Sequence, residues 1–184
     1  SRFLFCTIQG RSIKGNFSKN DLEIIHGAPG ELLKIYTVES EEDLFVLRAV
    51  SEDLSPKVLG GDDYALLAER MKKTVADTSV GGVGIAAPQV GINKRVVVVQ
   101  RFDKAYPNIS IVEYSEEEQV GPEGCLSVPN ERYDVNRASC IVISYFDVEK
   151  GEMVKETVSG FTAVIFQHEV DHLEGVIYTD RVLM

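Results

Sequence analysis

Residues 168–172 read His-Glu-Val-Asp-His, and no other stretch of the chain restricts its architecture as strongly. Two histidines four positions apart can serve one ligand only on a helix, where positions i and i+4 lie one above the other on the same face. The surrounding pattern agrees. Phe161, Val164, Ile165, His168, His172 and Leu173 recur at three-to-four-residue spacing, so a helix is predicted whose apolar stripe carries both imidazoles. Gly160 precedes the run and Gly175 stands where a helix would stop. Glu169, beside the first histidine, is placed to handle a proton next to a metal ion. A single histidine on an apolar face is more simply a hydrogen-bonded core residue. A pair at this spacing enclosing a glutamate favours a metal site.

The 184 residues suit one domain with a sizeable core. A net charge of −10 argues against nonspecific binding to nucleic acid or to anionic membranes, both of which need clustered Lys and Arg. The three cysteines, Cys6, Cys125 and Cys140, are an odd and low count. That is no disulfide framework, and a reducing compartment follows, with one thiol free for another task. No apolar run approaches the roughly 20 residues of a membrane helix. Residues 3–8 are too short for a signal-peptide core. A cytoplasmic protein is expected; Ser1 in place of an initiator methionine leaves room for a trimmed or targeting segment upstream.

Along the chain, residues 1–44 are expected to form an N-terminal extension packed on a main domain of residues 45–184. A short helix is predicted over 20–25, and His26 is expected to face solvent or cap it. Residues 32–38 read as a strand, 39–43 as an acidic turn, and 45–50 as another apolar segment. Asp62 or Asp63 can cap a helix running to about Ala76, with Leu67, Met71 and Val75 facing the core. The glycine-rich residues 81–91 imply close backbone approach or unusual dihedrals. They lack the Gly-Lys-Ser/Thr ending of a phosphate loop, and Pro88 stands where its helix should run. Residues 95–100 are a β-branched strand, and 109–114 a weaker one. Residues 115–119 read as an acidic turn, 121–129 as a loop with Cys125 near its centre, and 139–147 and 153–158 as a hairpin around 149–152. Consecutive hairpins rather than strand–helix–strand units predict an α+β fold, with antiparallel or mixed sheets around a central metal-binding helix in a single domain.

A catalytic metal of this kind takes three protein ligands and leaves one position open. Thermolysin-like and metzincin proteases find the third ligand downstream, but few residues follow His172 here, and Glu174 falls on the wrong side of the helix. Asp180 stays in play near the chain end. The leading candidate is upstream: Cys125, bounded by Gly and Pro, whereas Cys140 lies in an apolar run and reads as core. A thiolate with two neutral imidazoles suits zinc or ferrous iron.

Three stretches occur in the order found in one family: 82–89 (Gly-Val-Gly-Ile-Ala-Ala-Pro-Gln), 123–127 (Glu-Gly-Cys-Leu-Ser) and 167–172 (Gln-His-Glu-Val-Asp-His). Together they make residues 45–181 closely resemble peptide deformylase. The resemblance implies Cys125, His168 and His172 as ligands of one divalent metal ion, Fe2+ by family habit, with Zn2+, Ni2+ or Co2+ as alternatives. It implies Glu169 as general acid/base, and Gln89 with the backbone N–H of Leu126 as oxyanion donors. It places the backbone of Gly84 against the substrate, Val83, Ile85, Val164 and Ile165 around a methionine side chain, and Arg132 near the peptide groove. The implied substrates are N-formylmethionyl peptides, nascent chains at the ribosome, with no nucleic-acid or membrane partner. The chain departs from the family at 101–108, where the segment before the second motif is short and reads Pro-Asn rather than Asn-Pro. Two rival functions remain: a zinc endopeptidase, and a non-catalytic module that binds metal or peptide.

Overall fold

The computed structural model describes residues 15–77 and 79–183; Cys6 lies outside them. Five helices occur among the described residues: α1 (Lys19–His26), α2 (Glu41–Leu47), α3 (Pro56–Leu59), α4 (Asp62–Ala76) and α5 (Gly160–Leu173). The strands are β1 (Gly84–Ala86), β2 (Val96–Val99), β3 (Lys104–Pro107), β4 (Ser110–Tyr114), β5 (Glu118–Cys125), β6 (Val128–Ala138), β7 (Cys140–Asp147) and β8 (Glu152–Ser159). They form three sheets, ordered β1-β2-β3, β4-β7-β8 and β5-β6, and every strand pairing is antiparallel. The architecture is α+β, as expected from the hairpin pattern.

The four valines of β2 explain how the molecule is layered. All are fully buried, because the sheet is covered on both faces, as a continuous β-branched run requires. Val96 and Val98 join the core shared with Leu67, Met71 and Val75 of α4, while Val97 and Val99 join the core built on α5. Alternation carries into β1: Ile85 faces the α4 side, whereas Ala86 faces the α5 side. The metal-helix candidate is thus sandwiched between the central sheet and β4-β7-β8.

Several local expectations give way to tertiary context. Residues 32–38 are extended but pair with no strand. They are held by single bonds from Tyr36 N to the Gln89 carbonyl (2.7 Å) and from Val38 N to the Ser127 carbonyl (2.9 Å). The acidic turn at 39–43 and the apolar segment after it are one helix, α2, capped by Ser40, with Glu41, Glu42 and Asp43 in its first turn where the dipole favours them. Seven residues are too few for helical periodicity to show. The cap of α4 is Gly61, with Asp62 and Asp63 already inside the first turn. Residues 121–129 are not a loop. They are the end of β5 and the tip of a long hairpin with β6, placing Cys125 at a strand end. The short 101–108 segment is a 3-10 turn followed by β3, paired with β2; none of its residues lines the main cleft, although Arg101 lies 5.4 Å from the ring of Phe161, which does. Asn108 there takes a left-handed φ of 54° and holds both the N–H and carbonyl of Leu54 with its side-chain amide. Cys140 opens β7 and is half-buried rather than core. His26 is exposed and reaches Asp63 of α4 at 2.6 Å. No helix among the described residues is long and apolar enough to cross a membrane.

Candidate metal centre and active site

Helix α5 begins at Gly160, whose φ of 60° turns the chain off β8. Its one-turn spacing puts the rings of His168 and His172 at a centroid separation of 5.3 Å. Both rings are buried, as is Glu169, at 3% exposure. Helix–sheet packing therefore brings a cluster of polar groups into the core, which is tolerated only where they find partners or a ligand.

Cys125 supplies one partner. The β5–β6 ladder loses register after the Glu123–Tyr133 pair and resumes at Cys125–Val128. Residues 129–132 therefore lie opposite Gly124 alone, a bulge that bends the hairpin tip over α5. Cys125 Sγ arrives 3.3 Å from His172 Nε2. Among the described residues, one group could hold a metal: Cys125, His168 and His172, with ligand atoms all within 4.8 Å of one another. A single metal-ion site follows from this group. The donor set fits: one thiol and two imidazoles match a tetrahedral site with an open fourth position. Two buried atoms beside it, Glu169 Oε2 and His172 Nδ1, have no hydrogen-bond partner. Asp180 is not in the group, because Arg48 holds both its oxygens, at 2.5 and 3.0 Å. Glu174 faces away and pairs with Arg95.

A ladder of charges sets the orientation of His168. Its Nδ1 lies 2.9 Å from Glu123 Oε1, leaving Nε2 for a metal. Glu123 takes two bonds of 2.8 Å from Arg137, and Arg137 also reaches Asp171 at 2.7 Å, one turn below His168. Arg181 closes the chain on Asp171. Burial alone would raise the Glu123 carboxyl, but Arg137 and His168 outweigh it and hold it down at about 2. Burial opposes charge on His168 too; hydrogen bonds to Cys125 and Glu123 override it and raise the ring to about 10. His172 is pushed well below its ordinary value, first by burial and then by His168. Burial raises Glu169 to about 7, in the range a general base needs at neutral pH.

Gln89, buried in a 3-10 turn over Ala87–Val90, is clamped at both ends. Its Oε1 accepts from Ala86 N (2.9 Å), and its Nε2 donates to Ser127 Oγ (3.1 Å) and approaches Cys125 Sγ at 3.5 Å. The groups line an open cleft of about 530 Å3. Its walls include Val83, Gly84, Leu126, Arg132, Val164 and Ile165, together with Gln89, Cys125, His168 and Glu169. Ile85 is the exception among the expected wall residues. Strand alternation turns it into the α4 core, fully buried, and it does not line the cleft. Gly84 has a second role not foreseen from the motif. A Cβ there would lie 3.0 Å from Glu169 Cγ and 3.1 Å from Ile165, so its bare backbone makes room for the carboxylate.

Sequence inspection passed over Glu123, Arg137 and Ser127 as functional groups. Glu123 and Ser127 stand within the second motif, but what they bond to depends on partners far along the chain. The signal for Arg137 is hairpin parity: it pairs with Gln119, on the face that Glu123 shares.

Comparison with known proteins gives a consistent picture. The polypeptide deformylase family model matches residues 32–183, reaching further upstream than the three motifs. The peptide deformylase of Desulforudis audaxviator is 42% identical over 118 residues, covering 61% of this chain and 76% of that protein. That of Caulobacter vibrioides is 38% identical over 155 residues, covering 80% and 86%. The actinonin-bound class I type b peptide deformylase of Acinetobacter baumannii superposes with a TM-score of 0.75 at 38% identity, over 83% of this chain and 99% of that one. Its Met-Ala-Ser-bound form gives 0.73 at 36%, over 83% and 99%.

Proposed function

Because the chain belongs to the peptide deformylase family, we infer that it hydrolyses the formamide bond at the N-terminal methionine of new polypeptides, releasing formate and a free amine. The observation that carries this assignment is the convergence of Cys125, His168 and Glu169 on one cleft walled by Gly84, Val164 and Ile165.

Cys125, His168 and His172 would hold the ion, and Fe2+ is proposed, with Zn2+, Ni2+ or Co2+ able to replace it. An ion held there would supply Lewis acidity, lowering the pKa of a water and polarising the formyl carbonyl. Glu169 accepts the proton of the attacking water at Oε2, the oxygen with no partner, and later delivers it to the departing nitrogen. As the formyl carbon becomes tetrahedral, Gln89 Nε2 and the Leu126 N–H stabilise the oxyanion. Ala86 and Ser127 fix the Gln89 amide plane, and the second Nε2 hydrogen, on the long 3.5 Å contact to Cys125 Sγ, is the one that would turn to the oxyanion. Removing one such donor typically costs about 100- to 1000-fold in rate. Val83, Val164 and Ile165 wall a slot for the unbranched methionine side chain. The Gly84 backbone lies against the peptide, and Arg132 stands at the rim for residues further along. The substrates are nascent chains, met at the ribosome in the reducing cytoplasm.

The test uses formyl-Met-Ala-Ser, chosen because a relative holds Met-Ala-Ser. Formate and free amine should form stoichiometrically with the peptide bonds intact. Activity should vanish on chelation and return on anaerobic reloading with Fe2+, Ni2+ or Co2+. Cleavage at internal bonds would instead establish an endopeptidase, and binding without turnover a non-catalytic module.

A further inference from the structure

The residues after α5 take no part in the chemistry above, yet they touch both the metal site and the substrate cleft. Tyr178 opens a 3-10 turn, Tyr178–Arg181, and is 1% exposed. Its ring stacks on the His168 imidazole, 5.8 Å between centroids and 25° between planes. Glu123 fixes one ring nitrogen of His168, but one hydrogen bond at the ring edge does not brace the face of the imidazole against tilting. The stacked Tyr178 ring restrains that tilting.

The other end of Tyr178 reaches the cleft. Its hydroxyl donates to the backbone carbonyl of Glu131 at 3.1 Å. Glu131 lies within the bulged residues 129–132, which face Gly124 alone across the hairpin, and Asn130 beside it has a left-handed φ of 63°. Asn130, Glu131 and Arg132 all line the cleft and form its lip. A bulge lacks the regular ladder that fixes strand carbonyls, so this side-chain bond supplies an anchor that β5 does not. The turn carrying Tyr178 is itself braced: Asp180 on Arg48, Arg181 on Asp171, and Val182 bridged to Val135.

We propose that Tyr178 is a positioning residue that couples the metal ligand His168 to the peptide-binding lip, its ring backing the imidazole and its hydroxyl anchoring residues 130–132. The two ends of one side chain then serve separable functions. This rests on the assignment of Cys125, His168 and His172 as the metal ligands and of the lip as peptide-facing.

Two variants of the metal-loaded enzyme separate the functions. Tyr178→Phe keeps the ring and loses the anchor. KM for formyl-Met-Ala-Ser should rise about 3- to 10-fold, the range of one hydrogen bond, with kcat and metal affinity unchanged. Tyr178→Leu loses the ring, and the metal dissociation constant, measured by competition with a chelator, should rise about tenfold, as removal of a group behind a metal-bound histidine commonly does. An unchanged KM in Tyr178→Phe overturns the anchor. An unchanged metal affinity in Tyr178→Leu overturns the backing role, and equal metal loss in both variants overturns their separation. A purely structural tyrosine would lower the melting temperature and leave both readouts unmoved. Should Tyr178→Leu fail to fold, Tyr178→Met, closer in volume, takes its place. A wild-type protein that binds metal but does not deformylate would refute the functional assignment, while the metal-affinity comparison would still decide the role of the ring.

Discussion

Glu169 has one oxygen 3.6 Å from His168 Nε2 and the other buried without a partner. A contact of 3.6 Å is too long for a hydrogen bond, so the unpartnered Oε2 is the oxygen free to take a proton. Glu169→Gln preserves the shape and removes the proton acceptor, so metal content should stay at one ion while kcat falls at least about 100-fold, the lower end of general acid–base contributions. Metal analysis beside steady-state kinetics checks both halves. Gly84 is the complementary case. Its missing side chain leaves a gap that Glu169 occupies, with Glu169 Cγ 3.0 Å from where a Cβ would stand. Gly84→Ala should therefore lower kcat as well as raise KM, by roughly tenfold or more in kcat/KM, because a small misplacement of a catalytic group is enough for such losses. A rise in KM alone would mean that only the peptide, and not the carboxylate, feels the added methyl.

At the scale of elements, the β5–β6 hairpin and α5 are joined by the run His168–Glu123–Arg137–Asp171–Arg181. Glu123 gives this run its sensitivity to acid. Its folded-state pKa of about 2 lies below its ordinary 4.5. Its stabilising contribution is therefore complete above pH 4.5 and is lost as pH falls from there toward 2, amounting to about 3 kcal/mol at most. Glu123→Gln removes that titration. Denaturant midpoints of the metal-free proteins, compared at pH 7 and pH 3, should fall more steeply for the wild type than for the variant. Parallel loss in the two would place the acid sensitivity elsewhere. The variant should also bind metal more weakly, since His168 loses the carboxylate that orients it.

For the whole molecule, residues 19–38 act as a brace. Arg70 of α4 donates to the carbonyls of Ile24, Ile25, Gly27, Ala28 and Glu31, at 2.8 to 3.2 Å, satisfying the open end of α1 and the turn after it. Tyr36 and Val38 then lean on the carbonyls of Gln89 and Ser127, behind the oxyanion donors. Arg70→Met should lower unfolding stability by about 2–3 kcal/mol, as loss of charge-assisted hydrogen bonds does. Because Arg70 does not line the cleft, kcat/KM at temperatures below the transition should be unaltered. Urea titration and kinetics on the same preparation read the two effects. A loss of activity without loss of stability would show that α1 acts on the site rather than on the fold.

Local sequence determined whatever depends on neighbours a few positions apart. The paired histidines and Glu169 required α5, because only a helix aligns i with i+4, and the valine run required a buried strand. Consecutive hairpins pointed to antiparallel or mixed sheets, and the strand pairings among the described residues are antiparallel. Tertiary structure decided everything that depends on which faces meet. Cys125 rather than Asp180 joins the histidines because the bulged hairpin folds over α5, whereas Arg48 holds Asp180 away. Ile85 points out of the cleft because β1 is covered by α4 on one face and α5 on the other, and nothing within β1 says which parity faces the substrate. Glu123, Arg137 and Tyr178 acquire their roles from partners at distant positions in the chain. Such pairings are set by packing and register, which short-range periodicity does not encode.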